Sequence, residues 1–293
     1  MEVLIAQIIN GLSLGSIYVL LVTGFNLLLL VAMIIHFSFP VVIVLSMYTA
    51  WFAMQLTGSI IAGAAAAIVS AVIINMISAP IFQKVMGQRG SVDINATMVV
   101  SMGMGMLITE FCSHSINKGF PISFQWLSGA GEPLWQHGLI SVSYAQVLTL
   151  AVGIIAVGVL FRILYSTKAG RAFRAIAENP DGAKLAGIPV FKTGLRSYML
   201  TGILGGISAA LMALLLGSAS PDLGDLLSHK VLGVSIIAGL GNLGGGLVVA
   251  LLLGIVEAIV QGFFSGSWSN AVVFGIMLVV VLVKPRGIFG TKL

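Results

Sequence analysis

Between Glu2 and Lys84 the chain carries no Asp, Glu, Lys or Arg. No soluble domain sustains so long an uncharged run, because its outward faces need ionised groups to stay dissolved. A soluble fold is roughly 25% charged, whereas this chain is 8% charged and 58% hydrophobic. The solvent for most of its surface must be lipid, and the fold class that follows is all-α, a polytopic transmembrane helical bundle.

A spanning helix needs about 20 predominantly apolar residues. The first charge-free gap has room for three, at residues 3–35 (with Gly24 and Asn26 as an interruption), 39–56 and 59–82. Further crossings are expected at 94–112, 142–165, 193–216, 247–263 and 270–283. Residues 113–141 form a polar loop punctuated by Gly119, Pro121, Gly129, Gly131, Pro133 and Gly138. Residues 231–240 are apolar but too short to cross, and the glycine-rich 239–246 run then breaks them, which predicts a partial helix covered by the bundle. The expectation is about eight full spans plus one partial segment in a single membrane domain, residues 1–293. The first helix follows Met1-Glu2 without a basic region or a small-residue cleavage site, so it is expected to be retained.

Cations set the expected orientation, because short cytoplasmic loops keep Lys and Arg. Lys84 and Arg89 follow the third span; Arg162, Lys168, Arg171, Arg174, Lys184, Lys192 and Arg196 bracket the loop between the fifth and sixth; Lys284, Arg286 and Lys292 follow the last. These regions are expected on the cytoplasmic side. Lys118, Glu132, Asp222 and Asp225, with Lys230 at a helix edge, are expected in outward loops, which leaves the N-terminus outside.

The formal charge of +5 is spread between apolar stretches and is not interleaved with aromatics, so it does not point to nucleic acid. A single cysteine, Cys112, excludes an intrachain disulfide and a cysteine metal cluster. No metal site is expected. There is no His-Glu-x-x-His, no Gly-x-Ser-x-Gly and no phosphate-binding Gly-x-x-x-x-Gly-Lys-Ser/Thr, so neither catalysis nor ATP binding by this chain is expected.

The most informative polar segment lies within residues 166–192, on the cation-rich side. Residues 169–178 favour helix, with Phe173, Ile176 and Ala177 on one face and Arg171, Arg174 and Glu178 polar. Asn179-Pro180 reads as a cap followed by proline at the first helical position, opening a second helix that Gly187 ends. Such a hairpin can lie on the bilayer with its cations toward lipid phosphates. Alternatively it docks a partner, its apolar face in the partner's groove and its charges fixing the register.

The segment from Gly170 to Ile188 fits Gly-Arg-Ala-x-Arg-Ala-x-Ala-x-x-Pro-x-x-Ala-x-x-x-Gly-Ile. With it the sequence resembles the permeases of branched-chain amino-acid ABC importers, where this pattern occupies the ATPase-coupling loop. Asn10-Gly-Leu-Ser-Leu-Gly-Ser-Ile-Tyr18 is similar to the family's opening, Gly239 to Gly246 with Gly254-Ile-Val-Glu257 to its glycine-rich segment, and Lys284-Pro-Arg-Gly-Ile-Phe-Gly290 to its C-terminal signature. The resemblance implies a bacterial inner-membrane importer subunit. Its implied partners are a homologous second permease, identical or different, two ATP-binding subunits that hold the ATP-Mg, and a periplasmic solute-binding protein; this chain itself binds no cofactor. It also assigns coupling-loop roles to Gly170, Arg171, Arg174, Ala175, Glu178, Asn179, Pro180, Ala183, Leu185 and Gly187. After the first span the family commonly reads Asn-Phe-Ala-His-Gly where this chain has His36-Phe-Ser-Phe-Pro40, so the expected solute is either a branched-chain amino acid or a related small polar solute such as an amide, urea or an organic acid.

Candidates for a translocation path are Asn10, Ser13, His36, Asn242 and Glu257. Asn10, Ser13 and Ser16 share a helix face that serves either helix packing or pore lining. An intramembrane carboxylate such as Glu257 is either a functional group or a structural one relieved by pairing. In a stand-alone secondary transporter or channel, the alternative reading, the broken segment and Glu257 would form the central site.

Overall fold

A computed structural model of the chain describes residues 2–87, 94–137, 140–264 and 266–290. Arg89, Gly138 and Lys292, which figure in the expectations above, lie outside the described residues. The long helices are α1 (Glu2–Ala32), α2 (Phe39–Thr57), α3 (Ile60–Gly87), α4 (Ile94–Ser115), α5 (Tyr144–Ser166), α8 (Val190–Leu216), α10 (Leu243–Phe263) and α11 (Gly266–Val283). Two short helices, α6 (Lys168–Glu178) and α7 (Pro180–Leu185), link α5 to α8, and α9 (Leu223–Ala238) precedes α10. Seven helices are long and apolar enough to cross a membrane; the expected eighth is present as a shorter apolar helix, Trp268–Val283 among the described residues.

Three expectations change. Gly24 and Asn26 do not interrupt α1, because its neighbours use them without bending it: Gly24 seats the Phe39 ring and the carbonyl of Gly24 accepts from Thr201 Oγ1 at 3.1 Å. The chain instead leaves the helix after Ala32, where Met33 takes a positive φ of 55°. Asp222 and Asp225 are not in an outward loop but at the start of α9, and Lys230 lies inside that helix, buried. The 113–141 loop is not wholly irregular: β2 (Pro133–His137) and β3 (Ile140–Ser143) form an antiparallel hairpin, and β1 (Ile122–Ser123) pairs with β4 (Ser218–Ala219).

α1 is the axis, buried along most of its length between α10, α8 and α5. With lipid outside and apolar side chains inside, burial alone does not drive helices together, so close packing must. Here it is backbone against backbone. A Cβ on Gly11 would stand 2.5 Å from the Ile255 Cα, and one on Gly254 would collide with the Gly15 backbone. A second seam joins α8 to α3, where Gly202 faces Ala71 and Val72 and Gly206 faces Ala67 and Ile68. Outward, Leu56, Ile61, Leu107, Ile154, Leu278 and Leu282 are exposed, a surface that suits hydrocarbon and not water.

The described cation-rich regions gather at one end. Phe82, just before Lys84, packs with Leu28 and Ile34 at the end of α1 and with Tyr198 near the start of α8. The C-terminal segment returns to this end: Ile288 N donates to the Ile237 carbonyl at 2.6 Å, and Asn242 Nδ2 to the Phe289 carbonyl at 2.8 Å.

Candidate functional site

The α5–α6 corner is built by Thr167, which ends one helix and caps the next. Its hydroxyl donates to the Ile163 carbonyl at 2.6 Å and accepts from the Gly170 N–H at 3.1 Å. At Gly170 a Cβ would collide with the carbonyls of Ile163 and Leu164, so the corner closes only around glycine. Arg174 then fastens α6 from above: its Nη1 donates to the Leu164 carbonyl, and its guanidinium lies 5.2 Å from the Tyr165 ring centroid. The positive group thus sits at the C-terminal end of α5, where unsatisfied carbonyls concentrate negative charge.

Phe173 and Ile176 are buried to 1% exposure, and Phe173 sits in a cleft between α6 and the bundle lined by Leu27, Leu30, Val31, Leu164 and Leu243. This corrects the docking geometry expected from sequence. The apolar face is occupied by the chain's own helices, so no partner groove receives it, and Arg174 is committed to α5. What faces outward is the polar side, with Arg171, Glu178, Asp181 and Lys184 exposed.

α7 is equally fixed. The Asn179 side chain accepts from Gly182 N at 2.9 Å, with Pro180 opening the helix. At the far end Ile188 N donates to the Ala183 carbonyl at 3.0 Å and Gly187 N to the Lys184 carbonyl at 3.1 Å. Gly187, at φ 79°, supplies the left-handed turn that this pair of bonds requires. Ala183 is buried and Ala175 half-buried, while Leu185 projects from the tip at 90% exposure. Gly170→Ala is expected to cost about 1–3 kcal/mol through overpacking; limited proteolysis should then cut near residue 167 while overall helix content stays unchanged.

The path candidates all pack inside the molecule or serve as caps. Asn10 bonds Gln7 at 3.4 Å and accepts from Gln146, and Ser13 Oγ donates to the Ile9 carbonyl at 3.0 Å. His36 is fully buried, its Nε2 3.2 Å from Ser78 Oγ and its Nδ1 3.2 Å from Ser38 Oγ, with its ring against Phe82. Asn242 caps α10 by accepting from Gly245 N at 2.8 Å. Glu257 accepts from Lys230 Nζ at 2.6 Å, Tyr18 Oη at 2.8 Å and Gln261 Nε2 at 3.3 Å.

Lys230 is the residue that sequence reasoning misplaced. At 3% exposure, beside Glu257 at 4%, it forms a buried ion pair tying α9 to α10, with Tyr18 of α1 as the third member. The available signal was a lone cation inside an apolar helix, which demands a buried carboxylate elsewhere.

The sequence profile described as "Branched-chain amino acid transport system / permease component" matches residues 7–282. This chain belongs to that permease family. The permease is 25% identical to the high-affinity branched-chain amino acid transport system permease protein BraD of Pseudomonas aeruginosa, over 97% of this chain and 95% of the relative. It is likewise 25% identical to LivH, the corresponding permease protein of Escherichia coli, over 97% and 94%. More distantly, 66% of the permease matches 61% of the L-arabinose transport system permease protein AraH of Escherichia coli at 26% identity. The permease is therefore a multi-pass transport subunit and not itself an enzyme, and it works as one component of a larger transport system.

Proposed function

We propose that this permease is the membrane-spanning subunit of a binding-protein-dependent ABC importer in a bacterial inner membrane, carrying branched-chain amino acids or a related small polar solute such as an amide, urea or an organic acid. Its assembly contains a second homologous permease, two ATP-binding subunits that hold ATP-Mg, and a periplasmic solute-binding protein. The named solutes of the relatives that match end to end support the amino-acid reading.

One observation carries the coupling role. The α6–α7 hairpin is not a floating amphipathic loop: Gly170, Thr167 and Arg174 clamp it to α5, and Phe173 seats it against α1. A push on Leu185, Glu178 or Arg171 therefore moves α5 and α1 together. Rigid transmission of this kind is what converts nucleotide-driven closure of a soluble subunit into movement of spanning helices. The cation-rich end is the cytoplasmic one in this arrangement.

Leu185→Glu combined with Glu178→Lys alters only the outward face. In gentle detergent extracts of the native host, tagged wild-type protein is expected to bring down P-loop ATPase chains detectable by mass spectrometry, and the double variant to lose them while keeping the wild-type melting temperature. A well-folded wild-type protein that transports solute without capturing an ATPase would overturn the reading.

A further inference from the structure

α5 and α8 are the two spans that the α6–α7 hairpin joins. A groove of about 260 Å³ lies between them, walled by Ile155, Val159 and Ile163 of α5 and by Leu200, Ile203 and Ile207 of α8, and every side chain that lines it is apolar. Ile155 and Val159 remain exposed, so the groove opens to the surroundings of the bundle and not to its interior. Along α5 its lining runs from Val152 to Ile163, about 16 Å at the helical rise. That is the depth of one leaflet of a hydrocarbon core about 30 Å thick.

The groove ends in cations. Arg162 stands one turn beyond Val159 on α5; Arg196 stands one turn before Leu200 on α8, and Lys192 one turn further out on the same face. The two helices line the groove in opposite directions, so the last turn of the α5 lining meets the first turn of the α8 lining, and the three cations share one mouth. All three are exposed, and none has an ion pair or a hydrogen bond among the described residues.

Arg162 lies a turn inside the end of α5, where exposed Tyr165 marks the headgroup level, and Arg196 lies in the second turn of α8. From there a guanidinium reaches the headgroup layer by laying its stem along apolar surface. The bias of cytoplasmic loops toward Lys and Arg accounts for cations between spans. It does not account for two guanidinium groups carried inside the helices to the mouth of one apolar groove.

We propose that this groove binds an anionic phospholipid of the cytoplasmic leaflet, with its phosphate held by Arg162, Arg196 and Lys192 and one acyl chain lying between α5 and α8. The planar fork of Arg matches phosphate oxygens, and basic pockets between spans on this side of a membrane suit such headgroups. The lipid bridges the two legs of the hairpin. The site goes beyond the importer reading, since it depends on membrane placement alone.

Full-length permease, relipidated with equimolar phosphatidylglycerol and phosphatidylcholine of the same acyl chains, is read by native mass spectrometry for bound lipid. Wild-type protein is expected to retain phosphatidylglycerol at least roughly tenfold over phosphatidylcholine, and Arg162→Gln/Arg196→Gln to bring the two lipids level. Lys284→Gln removes an exposed cation outside the groove and is expected to keep the preference. Ile203→Trp fills the groove, leaves the cations in place and is expected to lower retention several-fold. In native membranes, benzoylphenylalanine at Ile203 is expected to give lipid adducts.

Equal retention of the two lipids by wild-type protein would overturn the proposal without any variant having to fold. So would a preference that the arginine pair leaves untouched, or one that Lys284→Gln removes as fully, which would assign it to net charge. Adducts from position 203 to a second permease chain would give the groove to protein and overturn the lipid site.

Discussion

Glu257→Ala is expected to destabilise the permease by about 3–5 kcal/mol, the loss that follows when one partner of a buried ion pair is removed and the other remains uncompensated. Lys230 cannot turn to solvent: it is enclosed by α9, α10 and α1, and its remaining neighbour, the Tyr18 hydroxyl at 3.3 Å, carries no compensating charge. The apparent melting temperature in detergent should fall sharply for Glu257→Ala and for Lys230→Ala. The double variant Lys230→Met/Glu257→Leu should recover much of the loss, because apolar replacements of similar volume remove both desolvation penalties together. Strict additivity of the two single losses would mean that the groups do not interact. The arrangement also bears on the stand-alone transporter reading of the sequence: the carboxylate that a proton- or ion-coupled carrier would use is already held by Lys230, Tyr18 and Gln261.

Gly254→Val is expected to abolish the folded protein, and Gly254→Ala to cost about 1–3 kcal/mol. The difference is geometric. At Gly254 the nearest atoms are backbone atoms of Gly15 and the Gly11 carbonyl, so no side-chain rotation can make room. α1 and α10 would have to separate, and α10 also carries Glu257, so the ion pair would open as well. Fluorescence-detected size exclusion reads both outcomes: a monodisperse peak with lowered thermal stability for Ala, and aggregate or no protein for Val. As a control, Gly158→Ala on α5 faces open space and should behave like wild type.

The spans were legible because charge is expensive in lipid, so the gaps between charges mark the crossings. The partial segment was legible for a related reason, since residues 231–240 are too short to cross and the glycine run after them cannot stay helical; α9 indeed stops at Ala238, and Gly239 and Gly241 turn with positive φ. Its N-terminal end was not legible, because Asp222 and Asp225 look like loop residues to any hydropathy argument. Their place in the interior is set by where Val41 sits, a contact between residues far apart in the sequence.

The hairpin divides the same way. Its two helices, the Asn179 cap and the Gly187 stop follow from local rules, and the structure has all of them. What covers Phe173 and Ile176 does not follow, because periodicity reports which face is buried and is silent on whether a partner or the same chain buries it. Arg174 was misread for that reason, as a docking charge, when the carbonyl it serves belongs to Leu164. The pairing of Ile122 with Ala219 was equally out of reach, since two-residue strands leave no pattern.

The coupling role of the hairpin is tested most directly by photo-cross-linking in cells, with benzoylphenylalanine placed at Leu185 and, separately, at Ile176. An adduct with a P-loop ATPase chain is expected from position 185, where the side chain projects outward, and only adducts within the permease from position 176, which is buried. Adducts at 185 confined to lipid, in a strain whose uptake is intact, would contradict it and leave the hairpin as an ornament of the membrane surface.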